Sequence, residues 1–521
     1  MITTLIPMAE TVSYPPFEYR SMAPVLIVAA AAVMSVLIEA LAPRTTRRAI
    51  QLVLVPASLL AALVLTITMP ASNEGVVAGG SLAIDGPTLF LWVTILVIGL
   101  LAMLVMAERR VDPAGDAFAP RTASLVGSME EQEFTKRGWY QTEIWPLFLF
   151  AVSGMLLFPA ANDLLMLFIA LEVMSLPLYL LAGMARRRRL LSQEAALKYF
   201  LLGAFASAFL LYGSAMIFGY AGSLDFAAIN EAFTNRPGAE GLQILGIGLI
   251  SVGLLFKVAA VPFHMWTPDV YQGSPTSVTA FMAAGVKVAA FGALLRVMYV
   301  AVGGAAWDWE PMLWVVAIVT MLVGVTLAVT SQDIKRMLAY SSIGHAGFLL
   351  LGVIAFSNEG LAATMFYLLA YGLTTIGCFA IVMLVRGPTG EAGHLSSWAG
   401  LGRTSPLLAG SFAFLLLALA GIPLTSGFTA KFGVFSAAIA SGAIAPVLVA
   451  ALASAISAFF YLRVIVLMYF AKPAAEGQAA VAVPSLLTQS AIAVAVIATV
   501  ALGVFPQAVL NLVNESAVFV R

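Results

Sequence analysis

The chain has 521 residues, 61% of them hydrophobic and only 10% charged, whereas ordinary soluble domains carry roughly 25% charged residues. That excludes a soluble globular enzyme and implies an integral membrane protein. Its 26 basic and 26 acidic side chains balance, so no nucleic-acid partner is expected and the lipid bilayer is the expected environment.

A helix needs about 20 apolar residues to cross ~30 Å of hydrocarbon. In chain order, about fourteen stretches of that kind are predicted, near 24–42, 50–70, 88–107, 144–161, 163–184, 195–220, 242–261, 274–302, 311–331, 334–356, 361–386, 404–438, 443–471 and 484–512. Before the first span, Glu10, Pro15, Pro16, Glu18 and Arg20 interrupt the sequence. A cleavable signal peptide is therefore not expected, and the first span is expected to serve as the insertion signal. Alternate loops differ sharply in Lys and Arg. One set carries Arg44, Arg47, Arg48, the basic residues from Arg109 to Arg137, the run Arg186–Arg189, Lys335, Arg336, Arg386, Arg403 and Lys472, and the other has Arg20, Arg236 and Arg521. Basic loops stay cytoplasmic, which predicts both termini on the opposite side. The run Arg186–Arg189 reads as a topology anchor with anionic-lipid contact as a secondary effect.

Two polar segments interrupt the array. Residues 108–143 read as a cytoplasmic loop or partner contact, and residues 221–241 as an exposed connection. Two spans contain helix-breaking chemistry beside a lysine: KVAAVPFHMW from Lys257 to Trp266 in the seventh, and LAGIPLTSGFTAKF from Leu419 to Phe432 in the twelfth. Proline removes a backbone donor and crowds the preceding turn, so both spans should be kinked or unwound. Irregular backbone at membrane depth is tolerated only where protein or water satisfies it, and paired interruptions often mark inverted repeats. The fold expected is therefore all-α and polytopic, with two inverted five-helix repeats (helices 4–8 and 9–13) and broken helices 7 and 12. The corresponding division is 1–143, 144–302, 303–471 and 472–521.

Lys257, Lys287 and Lys431, with Glu172 in LFIALEVMSLPLYLL, are ionisable groups inside apolar spans. Each costs at least ~2.5–3.5 kcal/mol at membrane depth, so their presence points to a path for charge. Static pairing or snorkelling is the structural alternative. Glu172 is expected to partner Lys257, Lys287 to be the next relay position, and Lys431 the exit or transfer position. Lysine suits proton relay because, unlike arginine, its pKa moves readily. His264, two turns beyond Lys257, and His345, in SSIGHAGF, are candidate relays or packed histidines. Glu194 and Lys198, four apart, suit a local ion pair or a relay. Arg296 and Arg463 are expected to neutralise helix carbonyls or to snorkel. With one cysteine, Cys378, and three histidines, no metal-ligand spacing occurs, so no redox centre is expected in this chain. A phosphate-cradling motif is also missing.

On LFIALEVMSLPLYLL, FKVAAVPFHMWTPDVYQGSPTSVTAFMAAGVKVAAF, SQDIKRMLAYSSIGHAGF and LAGIPLTSGFTAKF, the chain resembles the antiporter-like membrane subunits of proton-pumping NADH:quinone oxidoreductase, respiratory complex I. The resemblance covers nearly the whole chain. HMWTPDVYQGSPT separates it from the related cation/proton antiporters, the alternative reading; a non-transporting assembly protein is a further one. The resemblance implies fourteen helices, two inverted five-helix units, and Glu172, Lys257, Lys287 and Lys431 as proton-carrying residues. It also implies a non-redox subunit of a proton-translocating enzyme of the bacterial cell membrane. Its partners would be protons and other membrane subunits, including further antiporter-like ones. NADH, FMN, iron–sulfur clusters and quinone would be handled by other subunits. The 108–143 segment is longer than the family leads one to expect.

Overall fold

The computed structural model describes residues 18–70, 73–112, 116–119, 124, 128–136, 142–235, 240–387, 390–472 and 480–520. Glu10, Pro15, Pro16, Arg137, Arg236 and Arg521, used above for targeting and orientation, lie outside the described residues.

Among the described residues, twelve helices are long and apolar enough to cross a membrane. In chain order they are Tyr19–Leu41, Arg44–Ile67, Gly86–Met106, Leu164–Ala182, Arg189–Ala221, Gly241–Val258, Thr276–Ala301, Gly303–Thr330, Ile334–Ile354, Asn358–Leu384, Ile444–Phe470 and Leu486–Val504. Two shorter apolar helices, Ile144–Ala160 and Pro406–Ala420, fall within the predicted 144–161 and 404–438 stretches. Several helices begin where a side chain satisfies an orphan amide. Asp85, Asp163 and Ser357 accept from Thr88, Met166 and Gly360 respectively, and Asp333 accepts from both Lys335 and Arg336.

The centre of the bundle is Thr276–Ala301, buried along its whole length, with Asn358–Leu384 packed beside it and Ile334–Ile354 packed in turn on Asn358–Leu384. Two π-helical turns, Met282–Val286 and Val297–Ala301, interrupt this central helix. Such turns release backbone groups from regular pairing and recur at functional sites. The outer helices instead turn Leu37, Val53, Phe205 and Leu452 outward. In hydrocarbon such surfaces carry no hydration penalty, so these faces suit lipid or apolar partners.

Three expectations are corrected. Residues 221–241 are not simply an exposed connection, because Phe226–Asn235 is a helix that buries Phe226, Ile229 and Ala232. The 108–143 segment contains the helix Met129–Lys136 and is clamped by charge: Arg186 pairs with Asp116 and Arg187 with Asp112, both at 2.7 Å. Arg188 in turn donates to the Glu391 carbonyl, so at least three of the four arginines hold protein. The last predicted stretch, 484–512, divides into Leu486–Val504 and Gln507–Ser516. Pro506 lies at the division, where a residue without a backbone donor cannot continue the ladder.

Candidate functional site

Both helices read as interrupted are broken. The first ends at Val258 and resumes as a short helix, Trp266–Gly273. The second stops at Ala420 and restarts at Ser426. Each break holds a non-glycine residue in the left-handed region, Ala259 at φ 64° and Leu424 at φ 69°. Conformations of this kind cost roughly 1–3 kcal/mol and persist only where surrounding structure enforces them.

Lys257 occupies the last turn before the first break and is buried. Its Nζ donates to Ser175 Oγ at 2.6 Å and lies 5.5 Å and 5.6 Å from the ring centres of Tyr179 and Tyr199. Trp266 stacks on Tyr199 at 4.7 Å, while its Nε1–H donates to the Phe256 carbonyl. The ammonium thus sits in an aromatic box, where ring faces attract a cation that burial would otherwise destabilise. Glu172 lies one turn before Ser175, half-buried and within electrostatic reach of Lys257. No contact ion pair joins them among the described residues. The expected direct pairing is replaced by a bond to Ser175, three residues further along the same helix.

Lys287 directly follows the π-turn Met282–Val286 on the central helix. Its buried Nζ donates to the Ser342 carbonyl and stands 5.3 Å from the Tyr371 ring centre. One turn beyond Ser342, His345 is hydrogen-bonded through Nδ1 to Tyr367 Oη at 2.7 Å and through Nε2 to Tyr461 Oη at 3.2 Å. Tyr461 also bonds Ser341. His345 lies within electrostatic reach of both Lys287 and Lys431.

Lys431 stands on the far side of the second break. Its Nζ donates to the Ala420 carbonyl at 2.8 Å and to Ser454 Oγ at 2.9 Å, and lies 4.9 Å from the Phe348 ring centre. Ala420 ends its helix, so the ammonium covers a carbonyl left without an intrahelical partner at the negative end of a helix dipole. Gly421 follows at φ 85°, and a Cβ there would meet the Lys431 chain at 2.9 Å. A Cβ at Gly427 would come within 1.8 Å of the Ala418 carbonyl. The glycines of LAGIPLTSGFTAKF therefore make room for the lysine and for the close approach of the two half-helices.

Lys287, His345 and Lys431 are brought together, with Lys257 and Glu172 forming a neighbouring group. The other candidates stand apart. His264 lies on the turn of the first break, its Nδ1 buried without a protein partner, and no described hydrogen bond joins it to a lysine. Glu194 and Lys198 form their ion pair at 2.7 Å with both side chains about half exposed, and Lys198 also reaches Asp269 at 2.7 Å. Arg463 donates to the Val329 carbonyl, as expected of a carbonyl-neutralising arginine. Arg296 goes further: besides the Pro159 carbonyl it forms a fully buried ion pair with Asp85 at 2.7 Å. Sequence reasoning missed Ser175, Tyr367, Tyr371, Ser454 and Tyr461. The four-residue spacing of Tyr367 and Tyr371 was a signal that one helix face carries hydroxyls. Among the described residues, no group of three or more His, Cys, Asp or Glu is placed to hold a metal ion.

A polytopic helical bundle with lysines buried at two broken helices is the architecture of antiporter-like membrane proteins, and residues 161–457 match the family described as NADH:quinone oxidoreductase/Mrp antiporter, TM. The chain is 55% identical over 532 residues to NADH-quinone oxidoreductase subunit N of Rhodococcus opacus (strain B4), covering 98% of each. Against a chain of respiratory complex I from Thermus thermophilus it superposes with a TM-score of 0.74 at 34% identity, covering 94% of this chain and 98% of that one. A chain of the Mrp complex from Dietzia sp. DQ12-45-1b shares the fold, with a TM-score of 0.79 at 24% identity and coverage of 96% and 97%. The chain belongs to the subunit N family of NADH-quinone oxidoreductases, and is a multi-pass membrane protein.

Proposed function

We propose that this chain carries protons outward across a bacterial cell membrane as a non-redox subunit of an NADH:quinone oxidoreductase, through Glu172, Lys257, Lys287 and Lys431. The observation that carries this reading is the burial of three lysines, each without a contact ion pair among the described residues. A static scaffold has no need of such groups, because buried charge is destabilising unless paired. Amines held by hydroxyls, carbonyls and ring faces can give up and regain a proton with little rearrangement.

In this reading, electron transfer from NADH through FMN and iron–sulfur clusters to quinone takes place in other subunits and alters charge or hydration at the face carrying Glu172. The influence of Glu172 on Lys257 then changes, and a proton shifts along Lys257, Lys287 and Lys431. His345 lies between the last two, and its neutral ring can accept a proton on one nitrogen while donating from the other. The remaining elements fit the same proposal. The twelve long helices, Ile144–Ala160 and the broken pair Pro406–Ala420 with Ser426–Ala440 would make fourteen crossings. Residues 144–302 and 303–471 would be inverted five-helix units, flanked by 1–143 and 472–521, with both termini non-cytoplasmic. The outer apolar faces would meet lipid and further antiporter-like subunits.

The test is NADH-driven proton uptake by inverted membrane vesicles carrying Lys257→Ala, with complex assembly and NADH oxidation by a soluble artificial acceptor measured alongside. Loss of uptake and of quinone reduction with the acceptor rate retained is expected. Unchanged uptake in an assembled complex would contradict the proposal. A requirement for Na⁺ or K⁺ would instead favour cation/proton antiport.

A further inference from the structure

At the basic end of the bundle, a second buried charge lies on the same helix as His345. Lys335, in the first turn of Ile334–Ile354, is 2% exposed. Its Nζ donates to the Ser274 carbonyl at 2.7 Å, to Thr276 Oγ1 at 3.1 Å and to Glu391 Oε2 at 3.2 Å. Glu391 comes from the short strand Gly390–Glu391, paired with Val385–Gly387. Its other oxygen accepts from Thr276 Oγ1, at the start of the helix that carries Lys287. One ion pair thus ties together the ends of the helices bearing Lys287 and His345.

The pair spans the boundary between water and interior. The Glu391 side chain is 17% exposed and that of Lys335 only 2%. Glu391 lines a crevice of about 30 Å³ with Asp112, Arg187, Arg386, Gln272 and Ser274, room for a water or two. On the segment that meets Lys335, Ser274 Oγ and Ser277 Oγ are buried with no hydrogen-bond partner among the described residues. Orphan hydroxyls are costly unless water satisfies them, so this position suits an internal water. Tyr271 and Tyr371 lie against Ser342, whose carbonyl receives the Lys287 ammonium. Ser342 is seven residues, about 10 Å along the helix, from Lys335. Tyrosine hydroxyls therefore stand at the Lys287 end of this interval and the serine hydroxyls of Ser274 and Ser277 on the segment that meets Lys335.

We propose that Glu391 and Lys335 form the proton-uptake site on the cytoplasmic side that supplies Lys287. The inference rests on the proton-carrying role proposed above. The Lys335 ammonium releases a proton inward along the hydroxyls and water to the neutral Lys287 amine, which becomes an ammonium. Glu391, having taken a proton from the crevice, returns it to Lys335 and restores the ion pair. One proton has then moved from water to Lys287, with no other change in charge. The groups facing the pair fit this cycle. Arg386 stands 3.8 Å from Glu391, Arg188 donates to the Glu391 backbone carbonyl, Arg187 is neutralised by Asp112, and Asp333 caps the Lys335 helix. Burial pushes the Glu391 carboxyl up, but the Lys335 and Arg386 charges and the Thr276 bond outweigh it and hold the group below the usual carboxylate range. The resting Glu391 side chain is thus a carboxylate.

The experiment compares Glu391→Gln, Glu391→Asp and Lys335→Arg with Lys287→Ala as assembled complexes in inverted vesicles, whose cytoplasmic face is outermost. Glu391→Gln keeps an acceptor for Thr276 but cannot take up a proton, and Lys335→Arg keeps the charge but cannot release one. Both should lower NADH-driven proton uptake by at least about a hundredfold, as loss of a positioned proton-transfer group does. Glu391→Asp should retain most of it, and acetate added outside should restore uptake to Glu391→Ala. Wild-type uptake in Glu391→Gln or Lys335→Arg, with Lys287→Ala inactive, would overturn this inference and leave the proposed function standing. Wild-type uptake in Lys287→Ala as well would overturn both. If Glu391→Gln fails to assemble, Lys335→Arg decides by the same two outcomes.

Discussion

Lys257 and Lys431 both stand beside a broken helix, yet their surroundings differ in kind. Lys257 precedes its break and is held by a hydroxyl and aromatic faces, with the Glu172 carboxylate in reach on a neighbouring helix. Lys431 follows its break and is held by a helix-terminal carbonyl and a hydroxyl. A carboxylate can change charge or move, whereas a helix end offers a fixed partial charge. The first region is therefore suited to receive a signal from outside the chain, and the second to hold and pass on a proton delivered through Lys287 and His345. Glu172 supports this difference by position, being half-buried where the three lysines are buried.

The largest effect should come from the second region. Lys431→Ala removes the amine at that break and leaves the Ala420 carbonyl without its Lys431 donor, so proton transfer should fall at least about tenfold, a barrier increase of ~1.4 kcal/mol or more. Vesicle acidification with normal artificial-acceptor activity checks this, and retained acidification would erase the distinction. Next comes the coupling between Glu172 and Lys257. Glu172→Gln and Lys257→Ala should each reduce coupled quinone reduction several-fold, and the double variant should be no worse than the worse single one. Additive losses would show that the two act independently, since only groups in one network depart from additivity. A smaller effect, about two- to fivefold, is expected for Tyr461→Phe, which takes a partner from both His345 and Ser341 and leaves buried polar atoms unmatched at ~1–3 kcal/mol each. Turnover across a range of proton gradients would measure it. Smallest is Glu194→Ala, expected to change turnover by less than about twofold, because exposed ion pairs contribute only ~0–1 kcal/mol. A large loss there would move part of the path to the surface.

Much of the architecture was legible because the bilayer imposes it. A stretch of apolar residues long enough to cross has few alternatives to helix, and each predicted stretch contains at least one. The breaks were equally legible, since Pro262, Gly421 and Pro423 announce them. The charged residues could be found because each is an anomaly within its own segment. Their partners could not. Lys287 bonds a backbone carbonyl 55 residues away, and Lys335 meets Glu391 56 residues away across a hairpin that composition marks only as polar loop. The Arg296–Asp85 pair joins residues 211 apart. Spacing along one helix predicts neighbours three or four residues apart and nothing about which helices meet. For the same reason, the sequence suggested a direct Glu172–Lys257 pair and missed Ser175, whose side chain is the one that reaches the ammonium.

Proton passage along the buried lysines stands or falls with Lys287→Ala, because that residue lies between the Lys257 group and the His345–Lys431 group. In inverted vesicles containing fully assembled complex, NADH-driven proton uptake and quinone reduction should both collapse while NADH oxidation by a soluble artificial acceptor continues at its normal rate. Proton uptake at the wild-type rate would show that charge crosses this protein by another route.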